Sequence, residues 1–172
     1  EEDRYLRSKA KFLDETVTLL GGRAAEHIFF GKEEITTGAS NDFERATRLI
    51  TDLVVKYGMD EELGPVMYLD KDKWEYNIYR PYSEKTAELI DHKVKEYLEN
   101  AYKKALEILE NKKEDIHVMA DVLLKKEYLT KEEFEWLMQD ITKAEKMLEE
   151  FEKNKNKEKK KKNKATKKKT TK

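Results

Sequence analysis

The chain has 172 residues, enough for one domain with a sizeable core, and 42% of them are charged against 38% apolar. Two Pro and six Gly argue against a turn-dense sandwich or barrel, and the absence of Cys excludes disulfides, thiolate metal sites and a cysteine nucleophile. No apolar run approaches the roughly 18 residues of a membrane span and the acidic start Glu1-Glu2-Asp3 is unlike a leader segment, so the expectation is a soluble, mostly α chain.

Leu13, Val17, Leu20, Ala24 and Ile28 recur at spacings of three and four, which predicts a helix from Ser8, its N-cap, to a stop at Gly31. The Gly21-Gly22 pair inside it costs about 1 kcal/mol per residue against Ala, so close packing or ligand approach is expected there unless the helix breaks. Residues 32–41 read as a loop with a short extended piece at Ile35-Thr36-Thr37. A second helix begins at Ser40 or Asn41, where Asn41 and Glu44 fit a capping box loosely. Its apolar stripe runs through Phe43, Ala46, Leu49, Ile50, Leu53, Val54 and Tyr57 to a stop at Gly58.

Residues 59–82 hold both prolines and a cluster of Tyr68, Trp74, Tyr76, Tyr79 and Tyr82, too aromatic for a free linker, and predict an irregular loop packed on the helices. Ser83 caps the longest helix, in which Ala87, Ile90, Val94, Leu98, Ala101, Ala105 and Ile108 keep a helical period. A shorter helix near Ile116–Leu124 follows, and Thr130 with Glu133 makes a capping box for a third. From residue 153 the composition changes. Twelve of the 36 Lys and Arg and one of the 37 acids fall in 153–172, so that segment carries +11 and residues 1–152 carry −12. Such a tail cannot bury enough apolar surface to order itself and is expected to be disordered.

The chemical inventory is short. His27, His92 and His117 are too far apart to pair on one helix as His-x-x-x-His, and each reads as a surface or helix-flank residue. No phosphate-binding GxxxxGK[ST] loop and no GxSxG elbow is present. Asp42 stands in the first turn of the second helix, behind Thr36-Thr37-Gly38-Ala39-Ser40-Asn41. One reading makes it a complement to the helix dipole, worth about 0.3–1 kcal/mol. In the other, Gly38 and Ala39 let a neighbouring segment approach while the rigid helix start aims Asp42 at a metal.

Four motifs follow one another in order: Leu20-Gly21-Gly22-Arg23-Ala24-Ala25-Glu26 with Phe30-Gly31, Thr36-Thr37-Gly38-Ala39-Ser40-Asn41-Asp42, Tyr57-Gly58-Met59, and Leu63-Gly64-Pro65-Val66. Over residues 1–140 this run resembles the helical peptidase domain of the FtsH family, the membrane-anchored ATP-dependent zinc metalloproteases. The resemblance implies a helical bundle at 1–140, leaving 141–152 as a helix end before the tail that composition marks at 153–172. It implies zinc, with Asp42 matching the family's third ligand; Glu26 matches an acidic position of the Gly-Gly-Arg helix, read either as support for the metal from behind or as a solvated helix glutamate. It also implies protein substrates, a homo-hexamer, and a parent at the inner membrane whose peptidase domain faces the cytoplasm.

The family's His-Glu-x-x-His zinc helix is absent from this sequence, as is the ATPase module that would take ATP and magnesium. The expectation is therefore a C-terminal piece of a longer polypeptide, inactive alone, with no catalytic residue of its own. The alternative is a non-catalytic helical oligomerisation module whose basic tail contacts anionic surfaces. With neither arginine nor aromatic residues, the tail predicts no specific nucleic-acid binding.

Overall fold

Ser8 and Gly31 bracket the first helix, α1 (Lys9–Phe30). The Ser8 hydroxyl accepts from Lys11 N–H, and Gly31, at φ 93°, returns its N–H to the His27 carbonyl. The computed structural model describes residues 6–68 and 82–153, and it contains no strand among them. The mostly-α fold expected from the sequence is what forms. Trp74, Tyr76, Tyr79 and Pro81 of the aromatic loop lie outside the described residues, as does the tail from 154 on. The chain divides into two compact units, residues 1–111 and 112–172.

In the first unit α1 packs against α2 (Ser40–Thr51) and α3 (Glu84–Asn111). The buried face of α1 is Phe12, Thr16, Leu20 and Ala24, with Leu13 and Val17 at its flanks. The expected stripe is thus turned by about one residue. Thr16 takes a core position because its hydroxyl donates to the Phe12 carbonyl at 2.8 Å, which removes the cost of burying it. Ala46 and Ala101 pack with Leu20, and small side chains there let the helices approach. Gly21 and Gly22 do not break α1, and a methyl group at either would meet nothing within 4 Å. The close packing expected at that pair is not found among the described residues.

After Thr51 the helix widens into a π turn, Asp52–Lys56, with Tyr57 N–H on the Asp52 carbonyl at 3.0 Å. Leu53, Val54 and Val55 are buried in succession across this wider turn, and Tyr57 is left about half exposed. The stripe expected to continue through Tyr57 therefore ends early. Gly58, at φ 58°, then reverses the chain; a Cβ there would come within 3.1–3.2 Å of the Pro65–Val66 backbone. Asp60 secures the following turn by accepting from the N–H groups of Glu62 and Leu63 and from the Tyr97 hydroxyl of α3. Tyr68 and Tyr82, at either side of the undescribed loop, meet edge to face at 5.8 Å and pack on the core of Phe12, Ile50, Leu53 and Ile90.

The second unit is built of α4 (Lys113–Lys126), α5 (Lys131–Gln139) and a further helix, α6, over 144–153. Val122, Leu137, Ala144 and Met147 form its core. The capping box read from Thr130 and Glu133 is present in both directions. The Glu133 carboxylate also receives the buried Lys126 ammonium at 2.5 Å.

Candidate metal site

Asp42 sits at the third position of α2, and how α2 begins decides where its carboxylate stands. The helix starts at Ser40 with Ala39 as its N-cap, so no side chain caps it directly. The Asn41–Glu44 capping box suggested by the sequence does not form. The cap lies further back. Thr37–Ala39 form a 3-10 turn whose N-cap is Thr36, and the Thr36 hydroxyl accepts from Gly38 N–H at 3.2 Å. Of the extended piece expected at 35–37, only Ile35 and Thr36 keep extended backbone, because Thr37 enters that turn.

Glu26 holds this turn from α1. One carboxylate oxygen accepts the Thr36 hydroxyl at 2.6 Å and the other accepts Thr36 N–H at 3.0 Å. Those two bonds, the hydroxyl first, hold the Glu26 carboxyl below the usual glutamate range. Gly38 belongs to the same arrangement, since a Cβ there would lie 3.2 Å from the Thr36 hydroxyl and 3.9 Å from the Glu26 carboxylate. The buried Ala39 methyl anchors the end of the turn. Glu26 is thus neither a free surface carboxylate nor poised toward a ligand; it clamps the segment that launches α2.

Asp42 itself is about half exposed, at 45% for its side chain. Its one ion-pair partner among the described residues is Arg45, one turn on, at a loose 3.8 Å. An exposed pair of that geometry contributes little, and the carboxylate keeps its lone pairs. The chemistry of zinc suits such an oxygen on a rigid helix start. Asp42 stands apart from any such set: no three His, Cys, Asp or Glu among the described residues converge as a metal group. His92 and His117 lie exposed on α3 and α4. His27, in the last turn of α1, has its Nδ1 3.0 Å from the Tyr102 hydroxyl of α3.

Sequence reasoning singled out Asp42 and Glu26 but missed Thr36, the residue through which Glu26 acts. The Thr-x-Gly pattern of a hydroxyl-capped turn was a signal for it; the partnership with Glu26, ten residues earlier, has no local signal.

The profile of peptidase family M41 matches residues 1–137. An ATP-dependent zinc metalloprotease FtsH of Caldicellulosiruptor bescii is 42% identical over 146 residues, covering 80% of this chain and 23% of its own length. A protein of the same name from Bacillus subtilis is 37% identical over 162 residues, 89% of this chain and 25% of its own. The mitochondrial inner membrane m-AAA protease component yta12 of Schizosaccharomyces pombe is 36% identical over 138 residues, with 80% and 18% covered. The chain spans about a quarter of the length of these relatives, or less.

Proposed function

The chain belongs to peptidase family M41, and from that premise we propose that it serves as the helical share of the peptidase domain of a membrane-anchored, ATP-dependent zinc metalloendopeptidase. Asp42 is the third zinc ligand in this reading. The observation that carries it is the geometry of the α2 start: a carboxylate with only a loose partner, on a turn clamped by Glu26 through Thr36. When bound, zinc would lower the pKa of a water so that hydroxide is available as the nucleophile near neutral pH. This chain's own contribution is to place one anionic oxygen and to keep it from wandering.

The His-Glu-x-x-His ligands, the general base, and the ATP and magnesium sites belong to segments that this sequence does not contain. Protein substrates, assembly as a homo-hexamer, and an inner-membrane location with the peptidase domain on the cytoplasmic side complete the proposal. They rest on the family alone. No described helix is long and apolar enough to cross a membrane. Within the chain, residues 1–140 would act as peptidase-domain scaffold, with 141–152 and the basic 153–172 as appendages.

The test is a graft. This chain replaces the matching segment of the Bacillus subtilis relative, and the chimera is assayed for bound zinc, casein cleavage and ATP hydrolysis. Zinc and cleavage should be retained, and Asp42→Asn should lose both while ATP hydrolysis persists, because a neutral amide is a poor zinc ligand. The 172-residue chain alone should cleave nothing, with or without zinc. Stoichiometric zinc and normal cleavage in the Asn chimera would remove Asp42 from the metal.

A further inference from the structure

A cleft of about 310 Å³ opens in the first unit between α1, the connecting segment, α2 and α3. Its walls are mostly apolar, from Leu20, Ile35, Phe43 and Leu98. At the small end of ligand pockets, it has room for one large side chain and not for an extended ligand.

The polar groups at the cleft are predominantly donors. The Arg23 guanidinium lies over the Phe43 ring at 4.4 Å, and its Nε is buried without a hydrogen-bond partner among the described residues. Lys32 adds a second cation at the wall. The Tyr102 hydroxyl, linked to His27 at 3.0 Å, is a third polar group, and burial raises its pKa, keeping it protonated. Glu99 lines the cleft with Arg23 and Lys32, and Glu26, which also feels the Arg23 charge, is committed to Thr36. An aromatic-backed arginine beside an apolar cavity is a receptor for an anion attached to an apolar body.

We propose that this cleft binds the C-terminal residue of a peptide, its apolar side chain in the Leu20–Leu98 cavity and its free α-carboxylate paired with Arg23 and Lys32. An acidic side chain within a chain would bring the charge without the apolar body beside it. A terminal Phe or Leu brings both on one residue. The proposal does not depend on zinc or on Asp42.

The experiment is an amide NMR titration of the full chain with N-acetyl-Leu-Phe as free acid and, separately, as its C-terminal amide. Acetate is the control for a bare anion. The free acid should shift the resonances of Arg23, Ile35, Phe43 and Tyr102, and the amide should bind at least about tenfold more weakly, the worth of a charge-assisted pair. Arg23→Gln should erase the preference for the acid. Lys32→Gln, on an exposed turn where folding is not at stake, should reduce it several-fold. Equal binding of acid and amide, no shift at about 10 mM peptide, or acetate competing as well as the peptide would each overturn the proposal. A result against it would leave the zinc reading untouched, because that reading is tested by metal content in the graft.

Discussion

Thr36→Val probes how Asp42 is held, because it keeps the shape and extended backbone of the side chain and removes one hydroxyl. Two bonds go with it: the 2.6 Å donation to Glu26 and the 3.2 Å bond accepted from Gly38 N–H. The turn is exposed, so water replaces part of both. Loss of a Ser or Thr cap costs about 1 kcal/mol, which lowers the melting temperature of a unit of this size by about 4–8 °C. The effect on metal should be larger. A group that orients a ligand from behind is worth about 10–100-fold in metal affinity, and the grafted chimera with Thr36→Val should lose zinc by that factor in equilibrium dialysis. Glu26→Gln should act the same way, since its amide nitrogen would face a donor on Thr36. The pH dependence has a definite sign. The Glu26 carboxyl is held below its ordinary value, so the clamp is intact above the unfolded glutamate range and is lost as pH falls through the lower folded value. A chimera that melts several degrees lower yet binds zinc as the parent does would show that the clamp stabilises the fold without positioning Asp42.

Two further outcomes follow from packing. Lys126→Met keeps the stem near Tyr128 and Phe151 but leaves Glu133, about one-third exposed, without its ammonium; it should cost about 1–2 kcal/mol, read from Trp136 fluorescence in urea with Trp74 replaced by Phe, and an unchanged midpoint would refute it. Gly22→Ala should stabilise the chain by up to about 1 kcal/mol, whereas Gly58→Ala, forced to φ 58° against the Pro65–Val66 backbone, should destabilise it by at least about 1–2 kcal/mol; the same sign of change in both melts would contradict the geometry.

What the sequence made legible is what a few neighbouring residues decide. Ser8 and Gly31 bound α1, and Thr130 with Glu133 opens α5, because capping is settled within about four residues. Burial of Thr16 was not legible, since its partner is a backbone carbonyl and a hydroxyl reads as polar. The π turn was not legible either; Leu53 and Val54 read as part of a regular stripe running on to Tyr57, and Val55 stood outside it. Asp42 became a ligand candidate through the order of four motifs, while its own chemistry favoured a helix-dipole role.

The α2 start gives that choice a physical basis. Asp42 occupies the third helical position, where in a capping box an acidic side chain reaches back to the N-cap N–H and is used up by doing so. Here Ala39 is the N-cap, and no hydrogen bond to the Asp42 carboxylate forms among the described residues. The ordering of the turn is carried instead by Thr36, under the hold of Glu26. In the zinc reading proposed above, this division of labour lets the turn be ordered through Thr36 while the Asp42 lone pairs stay available to a metal.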